Sequence, residues 1–106
     1  VALVIGCGTF PTWNTYPGLF AALATGNQVI LKPHSNAILP AALSVRIMRE
    51  VLAENGLSPD LVSLCVTRTA NAGRFLAHPA VRQCRPRPAS LAGGLSRRSR
   101  LCHRIP

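Results

Sequence analysis

Residues 28–32 read QVILK, and Pro33 follows them directly. A short, continuous apolar run that a proline closes is typical of a strand buried on both faces. Two further runs have the same character, VALVI at 1–5 and LVSLCV at 61–66. These three runs predict three buried strands, and we expect a fourth strand to begin at 80–82.

Helical segments separate the predicted strands. We expect helices at 16–25, at about 38–55 and at 71–77, and Gly26 and Gly56 are placed to end the first two with a left-handed turn. Apolar strands that alternate with helices predict a parallel sheet with crossover helices on its faces. The predicted fold class is therefore α/β, with part of a Rossmann-like parallel sheet.

The longest predicted helix carries a regular apolar pattern. Ser35 and Asn36 precede it and are expected to cap its first turn. Its apolar stripe is expected to follow every fourth residue, at Leu39, Leu43, Ile47 and Val51. Three further apolar residues broaden the stripe: Val45, Met48 and Leu52.

The positive charge of the chain is unevenly distributed. The 106 residues carry a formal net charge of +9, from twelve Lys and Arg against three acids. Residues 1–83 hold six of the basic residues and all three acids, whereas residues 84–106 hold six arginines and no acid. A basic tail can bind nucleic acid or an anionic membrane. Its three prolines and lack of periodicity are typical of a solvated or disordered segment.

The cysteines predict neither a metal site nor a nucleophile. Cys7, Cys65, Cys84 and Cys102 lack CxxC spacing, and no histidine stands at a zinc-ligand offset from a cysteine pair. Cys7 and Cys65 are expected to be small, inert hydrophobic residues beside buried strands. We recognise no signal peptide and no apolar run long enough to span a bilayer. We therefore expect a cytoplasmic protein with reduced thiols.

Polar loops follow the first two predicted strands, at 7–15 and 32–37. Ligands of parallel sheets bind at the carboxyl ends of the strands, so these loops are the candidate site. Asn14, within FPTWNTYPG at 10–18, offers an uncharged amide donor that suits an oxyanion. Alternatively, this amide satisfies its own turn, and Trp13 fills a gap under the loop.

Lys32 ends the second predicted strand. Its ammonium can donate to a ribose hydroxyl or a phosphate, or it can extend along the strand end to solvent. Ser35 and Asn36 bind a ligand or, alternatively, do no more than cap the helix, and His34 is either a ligand-binding residue or an exposed loop residue. No GxGxxG turn follows the first strand, so that dinucleotide fingerprint is absent.

Four blocks in this order resemble the aldehyde dehydrogenase superfamily. They are FPTWNTYPG (10–18), ALATGNQVILKPHS (22–35), VLAENGLSPDLVSL (51–64) and HPAVRQ (78–83). That family has a PWN loop, an ALxxGNxVxxKP block, a helix ending in glycine before a PxxxV turn, and an HPxV segment. Two of these motifs, PTWN with its extra threonine and KPHS, most resemble one branch of the superfamily. This branch contains the ring-opening aldehyde dehydrogenase-like proteins of phenylacetic acid degradation.

The resemblance implies an NAD(P)-dependent enzyme that oxidises an aldehyde to an acid and forms a homo-oligomer. Asn14 would be catalytic, as the donor to the oxyanion of the thiohemiacetal and acyl intermediates. Ser35 stands where NAD-preferring members carry a glutamate, which favours NADP over NAD. The residues that the resemblance assigns to cofactor binding are Thr12, Trp13, Lys32, Pro33, His34 and Ser35.

The resemblance covers residues 1–83, which we interpret as a partial NAD(P)-binding domain. The family continues after HPxV with a strand and an FTGS-like turn, whereas this chain continues with CRPRPAS. The general-base glutamate and the nucleophilic cysteine of the family come later still, and we expect this piece of a longer protein to be inactive. We interpret residues 84–106 as a non-homologous tail that arose from a reading-frame shift or is disordered.

Two rival functions remain open. One is a small basic module that binds nucleic acid, and the other is a non-catalytic relic of the fold. The tail offers no aromatic residue for base stacking and the body no basic face, which disfavours the first rival. The expected partner is an aldehyde substrate, with no nucleic acid and no membrane.

Overall fold

The computed structural model describes residues 1–84, and the arginine-rich segment at 85–106 lies outside the described residues. The predicted α/β class is confirmed, and each predicted helix and strand is present within a few residues of its expected position. The elements in chain order are β1 (Ala2–Ile5), α1 (Tyr16–Ala24), β2 (Val29–Lys32), α2 (Ile38–Glu54), a one-turn 3₁₀ helix (Pro59–Leu61), β3 (Val62–Leu64), α3 (Thr69–Leu76) and β4 (Arg82–Cys84).

The four strands form one parallel sheet in the order β3-β2-β1-β4. The chain moves from β1 outward to β2 and β3, and then returns to place β4 on the other side of β1. The direction of winding therefore reverses at β1. In open parallel sheets the carboxyl ends of the strands at such a reversal form the usual ligand crevice.

The two faces of the sheet are covered by different helices. Leu19 of α1 and Val45 of α2 are buried against one face, in a core cluster with side chains from β1, β2 and β3. Because side chains alternate along a strand, Leu3 and Ile30 point to the other face. There Ile30 lies with Phe75 of α3 along the wall of one cavity.

The apolar stripe predicted for α2 is wrong for the row of every fourth residue that was expected to form its centre. Four of its members are exposed: Leu39, Leu43, Ile47 and Val51. The helix instead buries Ala41 and Val45, and it packs Met48 and Leu52 against the core. Residues four apart drift by about 40° around a helix of 3.6 residues per turn, so an every-fourth row winds off the sheet. The buried set follows a four-three-four spacing, which stays on one face.

The predicted cap of α2 is also wrong. Ala37 immediately precedes the helix, and no side chain accepts a hydrogen bond there. His34 organises the preceding turn instead, since its Nδ1 accepts a hydrogen bond from the Asn36 N–H at 3.2 Å. The predicted left-handed turns at Gly26 and Gly56 are confirmed, with φ of +77° and +73°.

No helix among residues 1–84 combines the length and the apolar character that crossing a bilayer requires.

Removal of a core side chain should destabilise the fold far more than removal of a side chain from the exposed row. Leu19 is fully buried, so we expect Leu19→Ala to lower the free energy of unfolding by about 2–5 kcal/mol. Leu39 is 69% exposed, and Leu39→Ala should change that free energy by less than about 0.5 kcal/mol. Urea unfolding of the 106-residue chain, followed by circular dichroism, measures both. Equal losses would show that α2 lies with its every-fourth row against the sheet.

Candidate functional site

The loops that follow β1 and β2 contact each other at the carboxyl edge of the sheet. The Gly6 N–H donates to the carbonyl oxygen of Lys32 at 2.8 Å and extends the strand ladder by one bond. Two residues later, a Cβ atom built on Gly8 would lie only 3.0 Å from His34 Nδ1, so the imidazole sits directly over this glycine. The structure thus brings the predicted site residues of both loops to one edge.

Thr15 holds the turn that carries Asn14. Its side chain is buried, and its Oγ1 lies 2.9 Å from the carbonyl oxygens of both Pro11 and Thr12. The Asn14 N–H adds a backbone bond to the Phe10 carbonyl at 3.0 Å. Sequence reasoning did not single out Thr15, although a hydroxyl residue directly before a proline-containing helix start was a usable signal.

Asn14 has a defined side-chain partner. Its side chain is half-buried, and Nδ2 donates to Cys7 Sγ at 2.7 Å. This bond links the turn to the end of β1. The alternative in which the Asn14 amide bonds only within its own turn is therefore not what the structure has. Trp13 is 78% exposed, so it does not fill a gap beneath the loop. Its indole, like the half-buried Thr12, lies on the outer surface of this turn.

Cys7 lies beside β1, as predicted, but in the loop that follows the strand, where it is half-exposed rather than buried. The pKa of the Cys7 thiol is lowered, first by a hydrogen bond from the Phe10 N–H. Partial burial opposes this effect, while the Asn14 amide and the Thr9 N–H add to it. Hydrogen bonds from N–H groups favour the negative form of the thiol, which lowers its pKa.

Lys32 is buried at the end of β2, with 6% of its surface exposed. Of the two alternatives for Lys32, extension of the side chain to solvent is therefore not what the structure has. Nζ donates to the Pro33 carbonyl at 3.5 Å, and within the described residues Lys32 takes part in no ion pair. An ammonium has three donors, and one long bond leaves capacity for further oxygen acceptors. Ribose hydroxyls or phosphate oxygens are acceptors of this kind.

A small groove lies between the loops that follow β2 and β3, and Pro33, the residue directly after Lys32, is part of its lining. Its volume is about 260 Å³, and Pro33 and Ser35 form one wall while Thr67 and Arg68 form the other. Volumes of about 300–1,000 Å³ are usual for pockets that enclose a whole drug-sized ligand. The groove therefore suits part of a nucleotide better than an entire dinucleotide. Lys32 and this groove together fit the adenosine end of the cofactor that the sequence predicts.

A second, larger cavity lies under α3 and is less suited to this role. Its volume is about 550 Å³, and its wall includes Val1 and Ile30 as well as residues that precede β4. Val1 and the residues before β4 lie at the amino ends of the strands, away from the edge where ligands of parallel sheets bind, and the cavity reaches the loop after β3 only at Thr67, which also lines the small groove.

Among residues 1–84 no group of three or more His, Cys, Asp or Glu side chains is arranged to hold a metal ion.

Comparisons with known proteins identify the family. The model of the aldehyde dehydrogenase family matches residues 1–84. The chain is also similar to a crystal structure of an NAD-dependent aldehyde dehydrogenase from Burkholderia multivorans, with 60% identity and a TM-score of 0.63. That match covers 68% of this chain and 13% of the Burkholderia chain, so the sequence spans a small part of that structure. Among curated proteins, none matches the chain significantly.

A family model that matches most of the chain, and a solved relative with 60% identity, agree with the four sequence blocks. This chain belongs to the aldehyde dehydrogenase family.

Proposed function

We propose that this chain is the cofactor-binding part of an NAD(P)-dependent aldehyde dehydrogenase, which oxidises an aldehyde to an acid. The observation that carries the proposal is the shared edge of β1 and β2. There the amide donor of Asn14 and the buried ammonium of Lys32 lie on contacting loops. Family membership supports the same reaction.

Asn14 has the chemistry of an oxyanion donor. When a thiolate adds to an aldehyde, the carbonyl oxygen gains a full negative charge, and a fixed N–H donor stabilises it. The amide of Asn14 has two N–H groups, and one of them is directed at Cys7 Sγ. Because the amide is planar, this bond fixes the direction of the second N–H, which is available to the oxyanion.

The cofactor-binding residues divide between two positions. Lys32, Pro33 and Ser35 would hold the adenosine end, where the buried ammonium and the small groove lie. Thr12 and Trp13 would line the nicotinamide side, on the turn beside Asn14. His34 would keep the two loops together through its contact over the glycine at position 8. When bound, the cofactor accepts the hydride that leaves the substrate.

The cofactor is either NAD or NADP. The Burkholderia relative is NAD-dependent, which supports NAD at 60% identity. Ser35, in place of an acidic residue, supports NADP, because it removes a repulsion against a 2′-phosphate.

The aldehyde belongs, in our proposal, to the degradation of phenylacetic acid. The support is the amino-acid sequence of two motifs, PTWN at 11–14 and KPHS at 32–35. The complete enzyme would be a cytoplasmic homo-oligomer.

The chain alone should not complete the reaction, because hydrolysis of the acyl intermediate needs a general base. The whole sequence contains three acidic residues, Glu50, Glu54 and Asp60. The first two lie on α2 and the third in the 3₁₀ helix, and none lies on the loops at 7–15 or 32–37. No carboxylate is therefore available beside Asn14.

The chain should bind NAD or NADP, and Lys32→Met should weaken that binding by about tenfold or more, because a hydrogen bond from a charged donor is worth about 1.5–3 kcal/mol. Methionine keeps most of the buried volume but has no donor. Isothermal titration calorimetry of the 106-residue chain with each dinucleotide measures the effect.

Arg46→Gln is the matched control, since it also removes one positive charge but lies on the solvent side of α2, paired with Glu50 at 3.5 Å. Its affinity should equal that of the unchanged chain. If neither dinucleotide binds, the chain is a relic of the fold. If both variants lose the same affinity, Lys32 acts only through net charge.

We expect no NADH or NADPH formation beyond one equivalent per chain when the chain is mixed with phenylacetaldehyde and either dinucleotide, because the general base acts after hydride transfer. Absorbance at 340 nm measures this, and an active aldehyde dehydrogenase serves as the positive control. Turnover by the chain would show that a general base other than Glu50, Glu54 or Asp60 acts at this site.

The Cys7–Asn14 bond predicts a measurable change in thiol titration. The lowered pKa of Cys7 should place the midpoint of its alkylation by iodoacetamide at a lower pH than that of an ordinary thiol. Asn14→Ala should move that midpoint upward, though not to the ordinary value, because the Phe10 N–H remains. Peptide mass spectrometry across a pH series follows Cys7 separately from the other cysteines.

Asn27→Ala is the control for this measurement. Asn27 lies before β2, at the opposite edge of the sheet, and its amide bonds to Thr25. Its removal should leave the Cys7 midpoint unchanged. An unchanged midpoint in Asn14→Ala as well would show that the amide does not donate to the sulfur in solution.

A further inference from the structure

Thr15 stands directly before α1, in the position of a helix cap, but its side chain does not cap the helix. A capping threonine usually has an extended backbone, which turns its oxygen toward the N–H groups of the first helical turn. The backbone of Thr15 is already helical instead, with φ of −91° and ψ of −36°. In this conformation the hydroxyl faces the preceding turn. The helix therefore begins without the side-chain cap that its sequence offers.

The Thr15 hydroxyl bonds back along the chain. Oγ1 lies 2.9 Å from the carbonyl oxygens of both Pro11 and Thr12, so its one hydrogen is shared between them. The Thr15 N–H adds a bond to the same Thr12 carbonyl at 3.1 Å. The residues enclosed by these bonds are Trp13 and Asn14. The hydroxyl thus closes the turn that carries the Asn14 amide.

The methyl group of Thr15 fixes this turn to the sheet. The residue is 2% exposed, and a Cβ built on Gly6 would lie 3.1 Å from Thr15 Cγ2. Gly6 follows β1 directly, and its N–H donates to the Lys32 carbonyl at the end of β2. Thr15 therefore connects the Asn14 turn to the edge where both strands end.

We propose that Thr15 is a positioning residue of the candidate site, whose hydroxyl orients the amide of Asn14 toward the oxyanion instead of capping α1. This inference rests on the proposed function, since it takes that amide as the oxyanion donor. Departures from local rules such as helix capping are expected where a site requires a particular geometry. The bond from Asn14 Nδ2 to Cys7 Sγ, 2.7 Å long, reports the orientation of the amide.

Two variants separate the hydroxyl of Thr15 from its methyl group. Thr15→Val keeps the shape and removes the donor, whereas Thr15→Ser keeps the donor and removes the methyl group. Two-dimensional ¹H–¹⁵N NMR of the 106-residue chain follows the side-chain NH₂ signals of Asn14, which Asn14→Ala assigns by their loss. We expect Thr15→Val to move these signals toward those of a solvent-exposed amide, and Thr15→Ser to leave them in place. Circular dichroism confirms that each variant is folded.

Alkylation of Cys7 gives a second measurement, which a purely structural role of Thr15 would not affect in the same way. The Asn14 amide contributes to the lowered pKa of the Cys7 thiol, so Thr15→Val should raise the alkylation midpoint as Asn14→Ala does. Combining the two substitutions should raise it no further, because Thr15 acts on the thiol through the amide. Additive increases would contradict the proposal.

Thr25→Val is the matched control. Thr25 lies at the other end of α1, and its Oγ1 bonds to the carbonyl oxygens of Ala21 and Ala22 at 2.9 and 3.0 Å. These acceptors lie four and three residues before the threonine, as they do at Thr15, but the bond is remote from the candidate site. Its removal should leave the Asn14 signals and the Cys7 midpoint unchanged.

Asn14 signals that move in Thr15→Val and stay in Thr15→Ser support the proposal. Unchanged signals in Thr15→Val, or equal movement in both variants, overturn it. If Thr15→Val does not fold, Thr15→Ala and Thr15→Ser give the same comparison, since they differ only in the hydroxyl. Calorimetry with NAD and NADP tests the proposed function separately: a chain that binds neither contradicts that function, whatever the Asn14 signals show.

Discussion

Parallel pairing of β1 with β2 is the constraint on which the rest of the molecule depends. Four residue pairs run from Ala2 opposite Val29 to Ile5 opposite Lys32. Side chains alternate between the two faces along each strand. A slip of one residue in the pairing would therefore move the core-facing side chains of a whole strand to the opposite face of the sheet. The observed register satisfies the buried backbone groups and places the ends of both strands level with each other. Every contact between the two site loops follows from that alignment.

Much of the fold could be predicted because its signals are local. Apolar runs mark the strands, and glycines with positive φ mark the ends of α1 and α2. The orientation of α2 could not be predicted in this way. Large aliphatic residues lie on more than one side of this helix, and the sheet accepts the side where Ala41 allows close approach. That choice depends on the shape of the sheet, which is a property of three distant strands.

The candidate site was predictable in its position but not in its contacts. Loops after β1 and β2 must meet at the carboxyl edge of a parallel sheet, and the family resemblance named residues on both. The bond between Asn14 and Cys7, in contrast, joins side chains seven residues apart across a turn. The groove that Ser35 and Arg68 line requires β2 and β3, far apart in the chain, to pair in parallel. No pattern within a short window carries such information.

The imidazole that sits over Gly8 links the substitutions that these two positions can accept during evolution. A Cβ at position 8 would lie 3.0–3.3 Å from three atoms of the His34 ring, so a larger residue there requires the ring to shift by a few tenths of an ångström. A smaller residue at position 34 would remove this obstacle. The effects of substitutions at the two positions should therefore be coupled: a larger residue at 8 should cost less stability after a change to a smaller residue at 34 than before it. Mutational histories that reach a larger residue at 8 are expected to pass first through the loss of the histidine.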